Sequence, residues 1–257
     1  VRKAIYKPHA QAVPDIVIKD QEHCIECGLC YDVCGREAIL HEEEERVFDI
    51  PAASIVVTTG YTTFDARNKR QLRYLIIPDV ITSLEFERMI NASGPTGGKL
   101  RRLSNGKPPR SIAFVQCVGS RDLAAGRPYC SGVCCMYAMK NAMLVREKNP
   151  DVEVTIFYND VRAYGKGYEE YYERARNLGV RFVRGFPGEV LEENDHLMMV
   201  AENTETREVE TFHPDLVVLS VGIEPADGGE AIGRMLGIPR DDSGFFGVAD
   251  QKVGPVL

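Results

Sequence analysis

Along this chain of 257 residues the apolar positions alternate between short continuous or two-residue runs and a three-to-four-residue rhythm, and that alternation predicts the order of elements. "IVIKD" (16–20) and "RVFDI" (46–50) read as short strands, and "ASIVVTTGY" (53–61) as a buried strand ending in Thr-Thr-Gly. "VITSLEFERMIN" (80–91) reads as an amphipathic helix, with Ser83 as N-cap and Glu85 in its first turns. "SGPTGG" and "SNGKPPR" are turn-rich and mark a linker near 93–110. From Ser111 the pattern becomes β-α-β: "SIAFVQC" is a strand, Tyr129 to Lys148 a helix and "VEVTIFYND" (152–160) a second strand. "GYEEYYERARNLG" (167–179) is a helix closed by a glycine, and "VRFVRG" (180–185) a third strand. "GEVLEEND" and "LMMVAENTETREVETF" form an antiparallel meander, and "DLVVLSVG" (215–222) closes the unit as a strand. Strands alternating with helices imply an α/β architecture with a parallel sheet and right-handed crossovers.

Cysteine placement changes the picture from fold to chemistry. All eight cysteines fall into two groups of four: Cys24, Cys27, Cys30 and Cys34, then Cys117, Cys130, Cys134 and Cys135. A disulfide framework belongs mostly to short secreted chains, so a chain of this length with no signal peptide and no apolar run of transmembrane length favours metal or cluster ligation and a cytoplasmic location. A net charge of −7 argues against a nucleic-acid partner, which would need a basic face. The chain opens on Val1 and ends on "QKVGPVL", which reads as an internal piece of a longer polypeptide.

"CIECGLCYDVC" is C-x2-C-x2-C-x3-C, the spacing of a bacterial ferredoxin loop. Three thiolates two residues apart converge on one face of a cube; Gly28 would let the backbone come close, and Ile25, Leu29 and Val33 would shield the cluster from water. Four-cysteine zinc is the rival, although its paired C-x2-C knuckles normally stand further apart. Gly35 replaces the usual proline after the fourth cysteine, and Cys34 either closes the same cluster or reaches a neighbour outside this chain. His23 is expected to be solvated, although it could hydrogen-bond near Cys24; the acidic run Glu42–Glu45 is expected to be a solvated turn, and Lys166 to cap one.

Cys117 ends a strand where a dinucleotide-binding unit would carry G-x-G-x-x-G. The chain instead reads "FVQCVGSRDLAAGRPYCSGVCC", with Gly119 as the one nearby glycine and cysteines on both sides of the loop. A helix N-terminus favours thiolates as it favours phosphate, so Cys117 is the expected fourth partner of Cys130, Cys134 and Cys135. A vicinal Cys134–Cys135 disulfide used in thiol exchange, or three merely buried cysteines, are the competing readings.

The stretches "RKAIYKPHAQAVPD", "VITSLEFERMINASGPTGG", "FVQCVGSRD", "YCSGVCCMYAMKNAML", "VTIFYNDVRAYGKGYEEYYERAR" and "DLVVLSVGIEP" resemble the A-type subunit of heterodisulfide reductases, which carries flavin and iron–sulfur clusters. The resemblance implies a thioredoxin-reductase-like two-domain flavoprotein with an inserted ferredoxin-type module. Residues 1–14 and 51–107 would belong to the FAD domain, 15–50 to the ferredoxin-like module, 108–222 to an NAD(P)-domain-like unit and 223–257 to the return towards the FAD domain. It implies a [4Fe-4S] cluster on each cysteine group, and FAD. Thr58, Thr59 and Gly60 look like the family's "ATG" element, Gly222 ends the second matching strand, and Glu87 in "LEFER" is the candidate carboxylate near the flavin. The implied partners are the other subunits of such a complex and an electron donor, which could be a hydrogenase, a formate dehydrogenase or a ferredoxin. In methanogens such a subunit serves CoM-S-S-CoB reduction with flavin-based bifurcation. An NAD(P)H-dependent disulfide reductase using Cys134 and Cys135, and a zinc-stabilised scaffold, are the alternatives.

Overall fold

The computed structural model describes residues 3–8, 15–39, 46–194 and 196–248, and the chain forms two compact units, residues 1–58 and 59–257. The expected turn at Glu42–Glu45 and the terminal Pro255-Val256 lie outside the described residues.

In the first unit Ile5–Tyr6 (β1) and Ile18–Lys19 (β2) pair antiparallel, and one helical turn, Leu29–Asp32 (α1), follows Gly28. Two sequence expectations fail around this unit's end. Residues 46–50 are not a strand, and Val47, Phe48 and Ile50 are exposed. Residues 53–60 are not a buried strand either: Ile55 and Val56 are exposed, and regular pairing starts only at Tyr61. An apolar run becomes a strand when neighbours take up its N–H and C=O groups, and among the described residues neither stretch has a sheet partner.

The second unit begins with Tyr61–Thr63 (β3), followed by Val80–Thr82 (β4), Ser83–Ile90 (α2), Ser111–Val118 (β5) and Cys134–Lys148 (α3). Glu153–Tyr158 (β6), Tyr168–Asn177 (α4) and Arg181–Arg184 (β7) continue the β-α-β run. Val190–Glu193 (β8), His196–Asn203 (β9) and Glu208–Phe212 (β10) are the meander, before Leu216–Val221 (β11), Ile223–Pro225 (β12) and Gly229–Leu236 (α5). Five parallel strands lie in the order β4-β11-β5-β6-β7. Such strands are covered on both faces, which is why all six residues of "LVVLSV" in β11 are buried. On one face Ile112, Phe114, Leu216 and Val218 meet Phe86 and Met89 of α2 and Met139, Ala142 and Met143 of α3. The Phe86 and Phe114 rings cross edge to face at 5.3 Å. On the other face Ala113, Val115, Val217 and Leu219 meet Val190, Leu197, Met199 and Ala201 of the meander.

Two further expectations are corrected here. Val80–Thr82 is not the start of a helix but the edge strand of the sheet, with Val80 opposite Val217, because β-branched residues fit an open strand edge better than a first helical turn. The N-cap is consequently Thr82, not Ser83: Glu85 N–H donates to Thr82 Oγ1, and Thr82 N–H donates to Glu85 Oε2 at 2.7 Å. The long helix starts at Cys134 and not Tyr129, because Gly132 at φ +73° breaks the helical path.

Candidate functional site

A backbone irregularity at the end of β5 decides where Cys117 goes. Pairing with β11 runs from Ile112 opposite Leu216 to Val115 opposite Leu219, then slips, so that Val118 faces Val221. Gln116 and Cys117 thus stand against Ser220 alone, and Cys117 takes the left-handed conformation, φ +58°. A non-glycine residue held there costs on the order of 1 kcal/mol. In regular alternation Cys117 would follow Ala113 and Val115 into the meander-side core. With the extra residue Val118 joins that core, and Cys117 is left half-buried within electrostatic reach of Cys130, Cys134 and Cys135.

The loop to α3 is held in place by hydroxyls. Ser120 donates to the Tyr129 carbonyl at 3.1 Å and accepts from the Ser131 N–H and hydroxyl, each at 3.0 Å. Ser131 accepts in turn from Ile223 N–H at 3.0 Å, and the Tyr129 hydroxyl donates to the Ile223 carbonyl. This fastening brings Cys130 up to the helix start, where the Gly132 N–H donates to its sulfur at 3.4 Å. Cys134 and Cys135 occupy the first two helical positions, and no side chain caps that end, where a helix N-terminus favours negative charge. The site lies at the carboxyl edge of a parallel sheet, where α/β folds place their ligands.

Charge follows burial. Cys117 and Cys134 are pushed up to about 11, chiefly by burial, with the other thiols of the group adding to the effect. Cys135 moves in the same direction for the same first reason, opposed by the Arg162 N–H and by the Arg121 and Arg162 charges. Arg121 pairs with Asp160, and Arg162 Nε donates to Asp160 at 3.0 Å, so two guanidinium groups border the thiols. Cys117, Cys134 and Cys135 keep their protons in such a place unless a cation shares their charge, which fits a metal or iron–sulfur centre. Among the described residues no three thiols lie within 4.8 Å of one another, wider than the about 3.8 Å that tetrahedral zinc–thiolate bonds of roughly 2.3 Å impose. Cys134 and Cys135 are free thiols, not a vicinal disulfide.

The first group is more open. Cys27 is exposed, Cys24, Cys30 and Cys34 are partly buried, and Cys34 Sγ accepts from the Ala38 N–H at 3.4 Å. That bond, with the Arg36 N–H, holds the Cys34 thiol below its usual range. Gly28 turns the chain at φ +76°, with no protein atom within 4 Å of its Cβ position. Ile25, Leu29 and Val33 are exposed and do not shield these thiols. His23 Nδ1 lies 3.1 Å from Asp20 Oδ2, with its side chain largely exposed.

Thr58, Thr59 and Gly60 are exposed. Gly60 and Gly222 lead into β3 and β12, which pair with each other, Thr63 opposite Ile223. Gly222 and Gly119 pack backbone to backbone: a Cβ on Gly222 would stand 2.6 Å from the Gly119 carbonyl oxygen. Next to them is a cavity of about 250 Å³ lined by Tyr61, Thr63, Ser83, Leu84, Glu87, Tyr137, Val221 and Ile223. Glu87 is partly buried in its wall and ion-paired with Lys140. The cavity is smaller than the roughly 300–1,000 Å³ of small-molecule sites and is too small to enclose a whole dinucleotide. Sequence reading missed Arg121, Tyr137, Lys140 and Arg162. Lys140 and Tyr137 sit in a helix whose face no spacing singled out, and the arginines approach only because β5 and β6 end side by side.

Comparison with known proteins gives a short match and a long one. Residues 17–40 match the family described as 4Fe-4S binding domain. The whole chain is similar to the A-type iron-sulfur subunit, form 2, of the CoB--CoM heterodisulfide reductase of Methanopyrus kandleri, at 51% identity over 100% of this chain and 40% of that protein. It is also similar to the A-type subunit of the Ferredoxin/F(420)H(2)-dependent CoB-CoM heterodisulfide reductase of Methanosarcina acetivorans, at 48% identity over 99% of this chain and 32% of that protein. The chain thus spans between about a third and two fifths of the length of these relatives. Among solved structures, a thioredoxin reductase of T. acidophilum is 12% identical over 70% of this chain and 46% of its own, with a TM-score of 0.36.

Proposed function

This chain belongs to the family of A-type heterodisulfide reductase subunits, and on that premise we propose that it is an electron-transfer part of such a reductase, carrying two [4Fe-4S] clusters. One is held by Cys24, Cys27, Cys30 and Cys34, the other by Cys117, Cys130, Cys134 and Cys135. The observation that carries the reading is the left-handed bulge at Cys117, which leaves this residue beside three further thiols at the sheet edge where phosphate would otherwise bind.

When bound, the clusters supply one-electron relay and FAD the exchange of electron pairs. The chain's own residues bind and tune. Cys117, Cys130, Cys134 and Cys135 supply thiolates, and Arg121 and Arg162 offset their charge. Cys34 is already favoured as a thiolate by the Ala38 N–H. Glu87, held by Lys140 in the cavity wall, and Thr58, Thr59, Gly60 and Gly222 at the entries to the β3–β12 ribbon would face the flavin. Its partners would be the other subunits of a heterodisulfide-reductase-type complex and an electron donor such as a hydrogenase, a formate dehydrogenase or a ferredoxin. Reduction of the CoB-CoM heterodisulfide with flavin-based bifurcation is the activity of the whole complex that we assign. An NAD(P)H-dependent disulfide reductase is opposed by the covered backbone of Gly119 and Gly222, which leaves no bare loop for pyrophosphate.

Replacing Cys135 by Ser tests the assignment. In anaerobic protein one cluster's EPR signal should be lost or degraded, and the Cys24–Cys34 signal should persist. Full iron content in Cys135→Ser, with loss of only a thiol–disulfide exchange activity, would put the reductase reading in its place.

A further inference from the structure

We propose that Tyr137 is a positioning residue for the centre on the vicinal-cysteine group, donating its hydroxyl hydrogen to Cys134 Sγ and so raising that centre's reduction potential. The inference rests on the cluster assignment above.

Tyr137 stands three residues after Cys134 on α3, so both side chains lie on one side of the helix. They converge on one acceptor: Cys134 Sγ is 3.9 Å and the Tyr137 hydroxyl 3.4 Å from the Val221 carbonyl oxygen. The shared carbonyl draws the hydroxyl towards the sulfur, and in this structure the hydroxyl hydrogen is given to Val221. Ser83 at the start of α2 donates to the Tyr137 oxygen at 3.2 Å, so the tyrosine already acts as an acceptor and has one hydrogen left to give.

That hydrogen has three candidate acceptors, the Val221 carbonyl, Ser220 Oγ and Cys134 Sγ, and the state of Cys134 decides whether it turns to the sulfur. As a thiol, Cys134 donates to the Val221 carbonyl and makes a poor acceptor. As a cluster ligand it has lost its proton and carries negative charge, and a charged acceptor takes the stronger bond. Ser131 also lies near this sulfur, but its hydroxyl hydrogen is committed to Ser120 at 3.0 Å. Tyr137 is therefore the side chain with a hydrogen free to turn. Reduction adds negative charge to the ligand sulfurs, so a donor aimed at one of them stabilises the reduced form and raises the potential. The ring of Tyr137 also lines the neighbouring cavity, together with Ser83, whereas no cysteine does.

The test is an EPR-monitored redox titration of the anaerobically purified full-length holoprotein. The signal of interest is the one abolished by Cys135→Ser, and the Cys24–Cys34 signal is the internal control. Tyr137→Phe removes only the hydroxyl. Iron content should be unchanged, the midpoint of the signal of interest should move to a more negative value, and the control midpoint should stay in place. Ser83→Ala should give a smaller shift of the same sign, because Tyr137 keeps its hydrogen but loses the donor that polarises it. An unchanged midpoint in Tyr137→Phe, or an equal shift of both signals, overturns the inference. Should Tyr137→Phe fail to hold the centre, Ser83→Ala decides: a negative shift supports the proposal and an unchanged midpoint overturns it. A wild-type protein with no signal sensitive to Cys135→Ser overturns the cluster assignment itself, and the role of Tyr137 with it.

Discussion

The ring of Phe64 occupies the space that a Cβ on Gly119 would need, with ring carbons 2.0–2.4 Å from that position. Gly119 also stands at φ +70°, two residues after Cys117. The glycine that a phosphate loop would leave bare is here covered by an aromatic ring, and the turn that carries the thiols is pinned by it.

Gly119→Ala should therefore destabilise the second unit by about 3 kcal/mol, from overpacking of roughly 1–3 kcal/mol and left-handed strain of about 1 kcal/mol. Chemical denaturation measures it. Adding Phe64→Leu should restore the steric part and leave the strain. A single variant unfolding at the wild-type midpoint would show that ring and backbone are not in tight contact.

The 257-residue chain should not retain FAD stoichiometrically through gel filtration. Its cavity of about 250 Å³ is too small to enclose the molecule, and the backbone at Gly119 and Gly222 is closed to pyrophosphate. A flavin spectrum eluting in a one-to-one ratio with protein would contradict this account of the site.

Anaerobically prepared protein should contain about eight irons per chain if each cysteine group holds a four-iron cubane. Iron analysis with a visible spectrum also separates clusters from zinc. A count near four would remove one assigned centre, most directly the first, if Cys34 takes a partner outside the chain.

Asp79 is 2% exposed and accepts from Arg102 Nε at 2.9 Å, Leu103 N–H at 2.7 Å and Ser104 N–H at 3.1 Å. It clamps the 102–104 turn beside the edge strand β4. Asp79→Ala should cost about 3–5 kcal/mol, because it removes a buried acceptor from the Arg102 guanidinium and from two N–H groups. The denaturation midpoint should fall while the iron bound by the Cys24–Cys34 group stays constant. An unchanged midpoint would mean that the clamp contributes nothing to stability.

Local pattern was enough for the features in which a residue's role depends on its near neighbours in sequence. The apolar runs of β5, β6 and β11, the helical rhythm of α4, the meander and the partition of eight cysteines into two fours are all legible in the order of residues, because strand period, helix period and ligand spacing are properties of short segments. Tertiary structure decided the rest, wherever a residue's role depends on which remote group arrives beside it. "VIT" at 80–82 became a strand because β11 offered an open edge 137 residues later, with Val80 opposite Val217. "ASIVVTTG" stayed out of any sheet because no such edge was offered among the described residues. Cys117 left the core because β5 and β11 slipped by one residue where they meet, and Arg121, Arg162, Tyr137 and Lys140 acquired roles through partners that no spacing in the chain announces. The reason is the same in each case: a strand edge, an ion pair or a thiol cage is completed by groups distant in sequence, and only the packed fold determines which groups those are.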